Sequence, residues 1–245
     1  MNIYDNRNAF LNDIIYPISP AYEHDLSAFL HSEISGNNIV EFGVGTGRIA
    51  FPLADHGYNV VGVDRSVAML AELNNRDENG VITQVNGDFS ATLDMPHNEY
   101  DAVLLVCNAI FEATELHTQR GVFRNARNLI NSDGIFAVET INPLPLLKRT
   151  EARISTRALT SDMYLIEQTD VDPYSQWVTT LFIIFDSSTA PYSYRQSIRL
   201  MTPREMDAIA ASEGLMLRSR MGWWNGSPAS ASSDRIISIY EREDF

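Results

Sequence analysis

Residues 40–47 read Val-Glu-Phe-Gly-Val-Gly-Thr-Gly, so that a short apolar stretch runs into three alternating glycines. Glycines at the carboxyl end of a strand, here Gly43, Gly45 and Gly47, permit a tight turn and let a ligand approach the main chain without a Cβ in the way. A glycine-rich turn without a ligand is the alternative, but glycines are costly to order unless their conformational freedom is used. The segment therefore predicts a ligand-binding loop.

A dinucleotide-binding fingerprint is the main competing interpretation of this loop. That fingerprint requires the spacing G-x-G-x-x-G. Here the third glycine comes one residue early and is followed by Arg48. The spacing therefore disfavours a nicotinamide dinucleotide as the ligand.

Acidic residues follow the next two strand-like stretches. One stretch ends at Asp64, a position from which a carboxylate can accept hydrogen bonds from both hydroxyls of a ribose. The alternative role is that of N-cap for the helix beginning near Val67, which Ser66 would also fill. The other stretch is followed by Asp88 and Phe89. We expect these two to offer a carboxylate and an apolar wall to an adenine ring.

The elements that must position these residues alternate along the chain. Strand-like stretches occur at 38–42, 59–64, 81–86, 100–107 and 134–140, and helical spacing occurs at 49–56, 67–76 and 116–130. Strands and helices in alternation, with short connections, predict a parallel sheet covered on both faces. Ligands of such sheets bind beyond the carboxyl ends of the strands, and Cys107 and Asn108 stand at the end of the fourth.

The regions on either side of this core have a different character. Residues 21–34 predict an amphipathic helix, and the three segments 153–167, 176–186 and 192–201 predict an antiparallel β-meander because turn signals separate them. Thr202, Pro203 and Glu205 have the pattern of a capped helix start. Two final strands are predicted at 215–220 and 235–242.

Composition restricts the class of protein and of partner. The chain has 245 residues, of which 44% are hydrophobic, and a formal charge of −14, which indicates one folded domain that nucleic acid and anionic membranes would repel. The charge favours neutral or cationic substrates. Cys107 is the only cysteine, so no intramolecular disulfide can form and we expect no metal site. Without a signal peptide or a membrane-length apolar run, a cytoplasmic location is expected.

The four strand ends, taken in order, resemble those of the class I S-adenosylmethionine-dependent methyltransferases. Residues 41–47 are similar to the E-x-G-x-G-x-G motif of that family, and the final two strands are similar to its antiparallel closing pair. Residues 45–54, 63–70, 172–176 and the stretch from Trp223 to Glu241 resemble a bacterial group that methylates small molecules. The resemblance implies a doubly wound, mostly parallel, seven-stranded Rossmann-like sheet with an antiparallel last strand and an inserted antiparallel β-meander.

The resemblance also implies S-adenosylmethionine (SAM) as cofactor and S-adenosylhomocysteine (SAH) as product. The residues expected to bind the cofactor are Tyr16, Glu41, Gly43, Gly45, Gly47, Asp64, Arg65, Met69, Asp88, Phe89, Cys107 and Asn108. The methyl acceptor is expected to be an oxygen or nitrogen atom of a small metabolite. A NAD(P)-dependent oxidoreductase and a SAM-binding scaffold without catalysis are the alternatives.

Three residues are candidates for a general base or for a group that orients the acceptor. Glu112 follows the fourth strand, His117 lies at the start of the next helix, and Glu139 ends the fifth strand. Methyl transfer by in-line attack depends first on alignment of the reacting atoms, so that a base is optional. An attacking hydroxyl would gain from a base, whereas a neutral amine needs only a hydrogen-bond acceptor to orient it.

The resemblance implies a single methyltransferase domain over residues 1–245. Residues 1–36 are the N-terminal lid and helix, 37–142 the SAM-binding core, 150–201 the inserted meander, and 202–245 the closing helix and last two strands. Tyr4, Tyr16 and Tyr22 either form an aromatic lid or pack a helix onto the sheet. The apolar face of the meander is either a substrate wall or the interface of a homodimer. Its members are Trp177, Phe182, Phe185, Tyr192 and Tyr194.

Overall fold

The computed structural model describes residues 6–149 and 151–243, so that Tyr4 lies outside the described residues. The helices are α1 (Asn6–Ile15), α2 (Pro20–Glu33), α3 (Ala50–Asp55), α4 (Val67–Arg76), α5 (Leu116–Leu129), α6 (Pro143–Leu147) and α7 (Pro203–Ser212), with a 3-10 helix at Ala109–Glu112. The strands are β1 (Asn38–Phe42), β2 (Asn59–Asp64), β3 (Ile82–Asn86), β4 (Tyr100–Leu105), β5 (Ile130–Ile141), β6 (Arg153–Ala158), β7 (Met163–Asp172), β8 (Trp177–Asp186), β9 (Thr189–Arg199), β10 (Leu215–Met221) and β11 (Arg235–Arg242).

The larger sheet has seven strands in the order β10-β11-β5-β4-β1-β2-β3. Strands β1 to β5 pair in parallel, while β11 is antiparallel to β5 and β10 is antiparallel to β11. The predicted seven-stranded sheet with an antiparallel last strand is confirmed. Because the parallel strands share one direction, their carboxyl ends meet at one edge of the sheet.

The core has two layers because the central strands are buried on both faces. In β4, Val103 and Leu105 contact one apolar cluster with α5 and α7, whereas Ala102 and Leu104 contact a second cluster with α2 and α3. Side chains of a strand alternate between faces with a period of two. A continuous apolar run is therefore the sequence signature of a strand covered by helices on both sides.

The inserted region forms a separate four-stranded antiparallel sheet, β6-β7-β8-β9. The prediction of three segments here is wrong in one respect, because the first, 153–167, is two strands. A turn divides them, and the amide of Leu159 donates to the carbonyl of Met163 at 2.8 Å. The polar residues Ser161 and Asp162 in that turn were the sequence feature that could have indicated the break between the two strands.

Other differences concern elements with weak local patterns. The sequence did not predict α1, α6 or the 3-10 helix, and β4 ends at Leu105 rather than at Cys107. The apolar stripe of α1 is short, and its apolar cluster is completed by the inserted sheet, since Leu11 and Ile15 lie in one cluster with Phe182; α1 also contacts α4. Among the described residues, no helix is long and apolar enough to cross a membrane.

Candidate active site

A cavity of about 380 Å³ opens at the carboxyl edge of β1, β2 and β4. Its walls come from α1, the glycine loop, the 3-10 helix, β9 of the inserted sheet and the start of β11. The predicted site residues that line it are Tyr16, Glu41, Gly43, Gly45, Asp64, Arg65, Met69, Phe89, Cys107, Asn108 and Glu112. The predicted residues Gly47, Asp88, His117 and Glu139 are not among those that line it.

The glycine loop is joined to the end of β2 through the carboxylate of Asp64. The amide of Gly45 donates to Oδ2 of Asp64 at 2.9 Å, and the amide of Ser66 donates to Oδ1 at 2.8 Å. Gly43, Gly45 and Gly47 all have positive φ, at 72°, 56° and 84°, where a Cβ would be strained. The N-cap of α4 is Ser66, whose hydroxyl accepts from the amide of Met69 at 3.2 Å, which leaves Asp64 at the cavity wall.

Glu41 places an unusual carboxyl group against the cavity. Its side chain is 2% exposed, and its Oε2 has no hydrogen-bond partner among the described residues. Burial raises the pKa of Glu41 to about 8; Arg48 opposes this shift and Asp64 adds to it. A buried carboxyl oxygen without a partner is costly. It therefore suits a ligand that brings a cationic or hydrogen-bond-donating group.

The turn after β4 is held in a strained conformation. Cys107 and Asn108 have φ values of 55° and 69°, in the left-handed region that residues with a Cβ seldom adopt. The side chain of Asn108 fixes this turn to β5, because its Oδ1 accepts from the amide of Ile141 at 2.5 Å. Burial raises the pKa of the Cys107 thiol to about 11, aided by the charge of Glu139, so that the thiol is neutral. Such strain clusters at functional sites.

Arg65 lies between two carboxylates at the opening of the cavity. Its Nη2 is 3.3 Å from Oε2 of Glu112, and its Nη1 is 3.8 Å from Oδ2 of Asp88. Despite Arg65, burial raises the pKa of Glu112 to about 7. The carboxylate of Asp88 accepts from the amide and the hydroxyl of Ser90 at 2.8 and 2.7 Å. Glu112 can therefore accept or release a proton near neutral pH.

Phe89 is held by the aromatic ring at the end of β1. Its ring stacks on that of Phe42 with a centroid separation of 5.7 Å and an interplanar angle of 15°. The residue lines the cavity, while its neighbour Asp88 stands at the rim with its carboxylate tied to the following turn.

Glu139 and His117 occupy positions away from the cavity. Glu139 is completely buried, and its carboxylate accepts from the hydroxyl of Tyr22, from Nε1 of Trp224 at 3.4 Å and from Nη1 of Arg235 at 2.6 Å. His117 is exposed in the first turn of α5. With both oxygens of Glu139 engaged, this geometry fits a residue that holds its neighbours in place.

Several lining residues were not predicted from the sequence. Arg48 follows the glycine loop, and its guanidinium donates to the carbonyl of Tyr16. Gln196 comes from β9 and Arg235 from the start of β11; Tyr194, also from β9, was predicted as part of the apolar face of the meander but not as a site residue. Only the position of Arg48 beside the glycines was a local signal. The other three reach the cavity through long-range pairing of strands.

Three findings define the class of this protein. They are the order of the strands in the sheet, the cavity at the carboxyl edge of the sheet, and a match of residues 39–134 to the family described as "Methyltransferase domain". The chain is a class I SAM-dependent methyltransferase. The oxidoreductase alternative is therefore wrong, and SAM is the cofactor.

Individual relatives agree with this assignment. The chain is 25% identical over 215 residues to the cypemycin N-terminal methyltransferase of Streptomyces sp, covering 87% of this chain and 86% of that protein. It is 27% identical to the CcbJ methyltransferase from Streptomyces caelestis, with a TM-score of 0.87 over 98% of both chains. A SAM-dependent methyltransferase from Clostridium acetobutylicum ATCC 824 shares the fold at 14% identity, with a TM-score of 0.83 over 98% of this chain and 99% of that one.

Proposed function

We propose that this methyltransferase acts on an amine nitrogen of a small molecule or of a peptide terminus, by in-line displacement that releases SAH. The observation that carries the proposal is Glu112, a carboxyl group with a pKa of about 7 in the same cavity as the glycine loop. An amine acceptor needs a hydrogen-bond acceptor to orient it, not a strong base. The name of the cypemycin relative, which specifies an N-terminal acceptor, supports nitrogen over oxygen.

The residues around the cavity fit the parts of SAM. Asp64, at the end of β2, would accept from the ribose hydroxyls, and Phe89 would cover one side of the adenine. Glu41, whose Oε2 has no partner among the described residues, would take the cationic amino group of the methionine portion. Met69 and the turn at Cys107 and Asn108 would complete the wall. Of the remaining predicted residues, Gly47 shapes the loop and Asp88 and Arg65 stand at the rim.

The bound cofactor supplies an electrophilic methyl group on a positively charged sulfur. The protein must align the acceptor with that methyl group and exclude water, an effect that supplies much of the rate in such displacements. The carboxylate of Glu112 would accept an N–H of the neutral amine and so direct its lone pair. Transfer of the methyl group would leave the nitrogen cationic and release SAH, and the carboxylate of Glu112 or water would take the departing proton.

We propose that different parts of the chain bind the cofactor and the acceptor. Residues 37–142 form the cofactor core, and the inserted sheet closes the acceptor side through Tyr194 and Gln196. On the inner face of that sheet, Phe182 and Tyr194 stack at a centroid separation of 4.8 Å. This face packs on α1, which favours the substrate-wall role over a homodimer interface for these residues.

Two measurements test the proposed function. Thermal shift with SAM, SAH, NAD and NADP should show stabilisation by the first two, because a ligand that binds only the native state raises its stability. Radiolabelled SAM should transfer its methyl group to amines, tested with a short peptide and an aminosugar, and not to their N-acetylated forms. Equal labelling of the N-acetylated forms would exclude the amine as acceptor and overturn the proposal.

A further inference from the structure

Helix α1 forms a wall of the cavity and lies between the inserted sheet on one side and the glycine loop and α4 on the other. Asn12, Ile15 and Tyr16 line the cavity from this helix and its end. On the side of the inserted sheet the contact is apolar, because Leu11 and Ile15 belong to a cluster with residues of β7, β8 and β9. A cofactor bound beneath this wall would be released past it.

On the side of the glycine loop, α1 is held by charge and hydrogen bonds at Asp13. Oδ1 of Asp13 accepts from the hydroxyl of Thr46 at 2.6 Å, and Oδ2 accepts from Nη1 of Arg76. Nε of Arg48 lies 3.6 Å from Oδ1. We call Asp13, Thr46, Arg48 and Arg76 the Asp13 clasp. It joins α1 to the glycine loop, to the start of α3 and to the end of α4.

The clasp members also hold one another. Arg76 donates to the carbonyl of Thr46 at 3.1 Å, and its guanidinium lies over the ring of Phe51 at 5.5 Å from the centroid. Arg48 donates to the carbonyl of Tyr16, which fixes the end of α1 to the same loop. Thr46 is 1% exposed, so its hydroxyl is a buried partner for the more exposed carboxylate of Asp13.

We propose that Asp13 is a positioning residue that sets the rate of cofactor release by fastening α1 over the cavity. This inference rests on the proposed function, in which the cavity holds SAM and then SAH. Release requires the end of α1 to leave the glycine loop, and the clasp must break for that to happen. Charge-assisted hydrogen bonds are stronger than neutral ones, and Asp13 is about one-third exposed, so salt should weaken the clasp.

The test uses the full chain with SAH as the probe. Asp13→Asn keeps the shape and removes the charge, and we expect SAH to dissociate about tenfold faster from this variant, measured by surface plasmon resonance. Raising the salt concentration should accelerate release from the wild type much more than from Asp13→Asn. Asp55→Asn, the same substitution at an exposed position on α3, is the matched control and should leave the rate unchanged.

A double-mutant cycle with Arg76→Gln makes the test specific to the clasp. If Asp13 and Arg76 act through each other, the double variant should release SAH about as fast as the faster single variant. Additive effects, an unchanged rate in Asp13→Asn, or equal salt dependence of the two proteins would overturn the clasp. Absence of SAH binding to the wild type would instead overturn the proposed function on which the clasp rests.

Discussion

Nη1 of Arg235 lies 2.6 Å from Oε1 of the completely buried Glu139, a residue 96 positions away in the chain. The partner oxygen of the same carboxylate accepts from the hydroxyl of Tyr22 and from Trp224. One carboxylate thus ties β5, α2 and β11 to the loop before β11. Arg235 is placed at the cavity wall by this contact.

Replacing Arg235 should therefore destabilise the protein more than replacing another partly exposed arginine. Arg235→Gln leaves a buried carboxylate without its cation, and loss of one partner of a buried pair costs about 3–5 kcal/mol. Chemical denaturation of the native chain and the variant measures this difference. Arg218→Gln is the control, because Arg218 pairs with Glu33 where both side chains are partly exposed. A loss no larger than that of the control would contradict a structural role for the pair.

Asp64 should be required for cofactor affinity. Asp64→Ala removes the carboxylate that joins Gly45 to Ser66 and the proposed acceptor for the ribose hydroxyls, so the Kd for SAH should rise more than tenfold. Isothermal titration calorimetry measures it directly. Asp64→Asn, which keeps one acceptor oxygen, should lose less. An unchanged Kd in Asp64→Ala would remove the ribose assignment.

Glu112 should govern the pH dependence of methyl transfer. Since its pKa is raised to about 7 by burial, the carboxylate that accepts from the amine is present above that pH and is lost below it. We expect kcat/KM to rise with pH through about 7, and Glu112→Gln to slow turnover and abolish this inflection while SAH affinity is retained. His117→Gln is the control at an exposed position. Full turnover in Glu112→Gln would reduce Glu112 to a lining residue.

Glu41 should make the protein less stable as the pH rises. Burial raises its pKa from 4.5 to about 8, so between these values the native state holds a proton that the unfolded chain has lost. The free energy of unfolding from this group therefore falls with rising pH in that interval. Glu41→Gln removes the titratable group. The free energy of unfolding of this variant, measured with urea at pH 5 and at pH 8, should therefore fall less between these two pH values than that of the wild type. The same dependence in both proteins would contradict the raised pKa.

The local sequence pattern was sufficient to predict the bounds of several elements. The bounds of β1, β2, α4 and β11 agree with those predicted, because apolar periodicity and flanking glycines or polar caps are encoded within a few neighbouring residues. The start of α7 agrees for the same reason: Thr202 and Glu205 form the predicted capping box within four positions of the chain. The glycine loop and Asp64 were identified as a site from their positions after strands.

Elements with a weaker local sequence pattern form because of the elements that they pack against or pair with. Helix α1 has only a short apolar stripe, and it packs because the inserted sheet offers Phe182 and its neighbours. The split of 153–167 into β6 and β7 depends on cross-strand pairing such as Arg157 with Leu165. Such pairings join distant or folded-back segments, and the energy that selects them comes from burial between elements.

The amino-acid sequence by itself determined the mostly parallel sheet, the glycine loop and the acidic residue at the end of β2, because each depends on residue types at short spacing. Only the tertiary structure decided which further side chains share the cavity. It separated Glu112, which lines the cavity, from Glu139, whose carboxylate is occupied by three donors. It also brought Asp13 to Thr46 across 33 positions. Those outcomes depend on how helices and sheets pack, since a carboxylate's burial and partners come from elements distant in the chain.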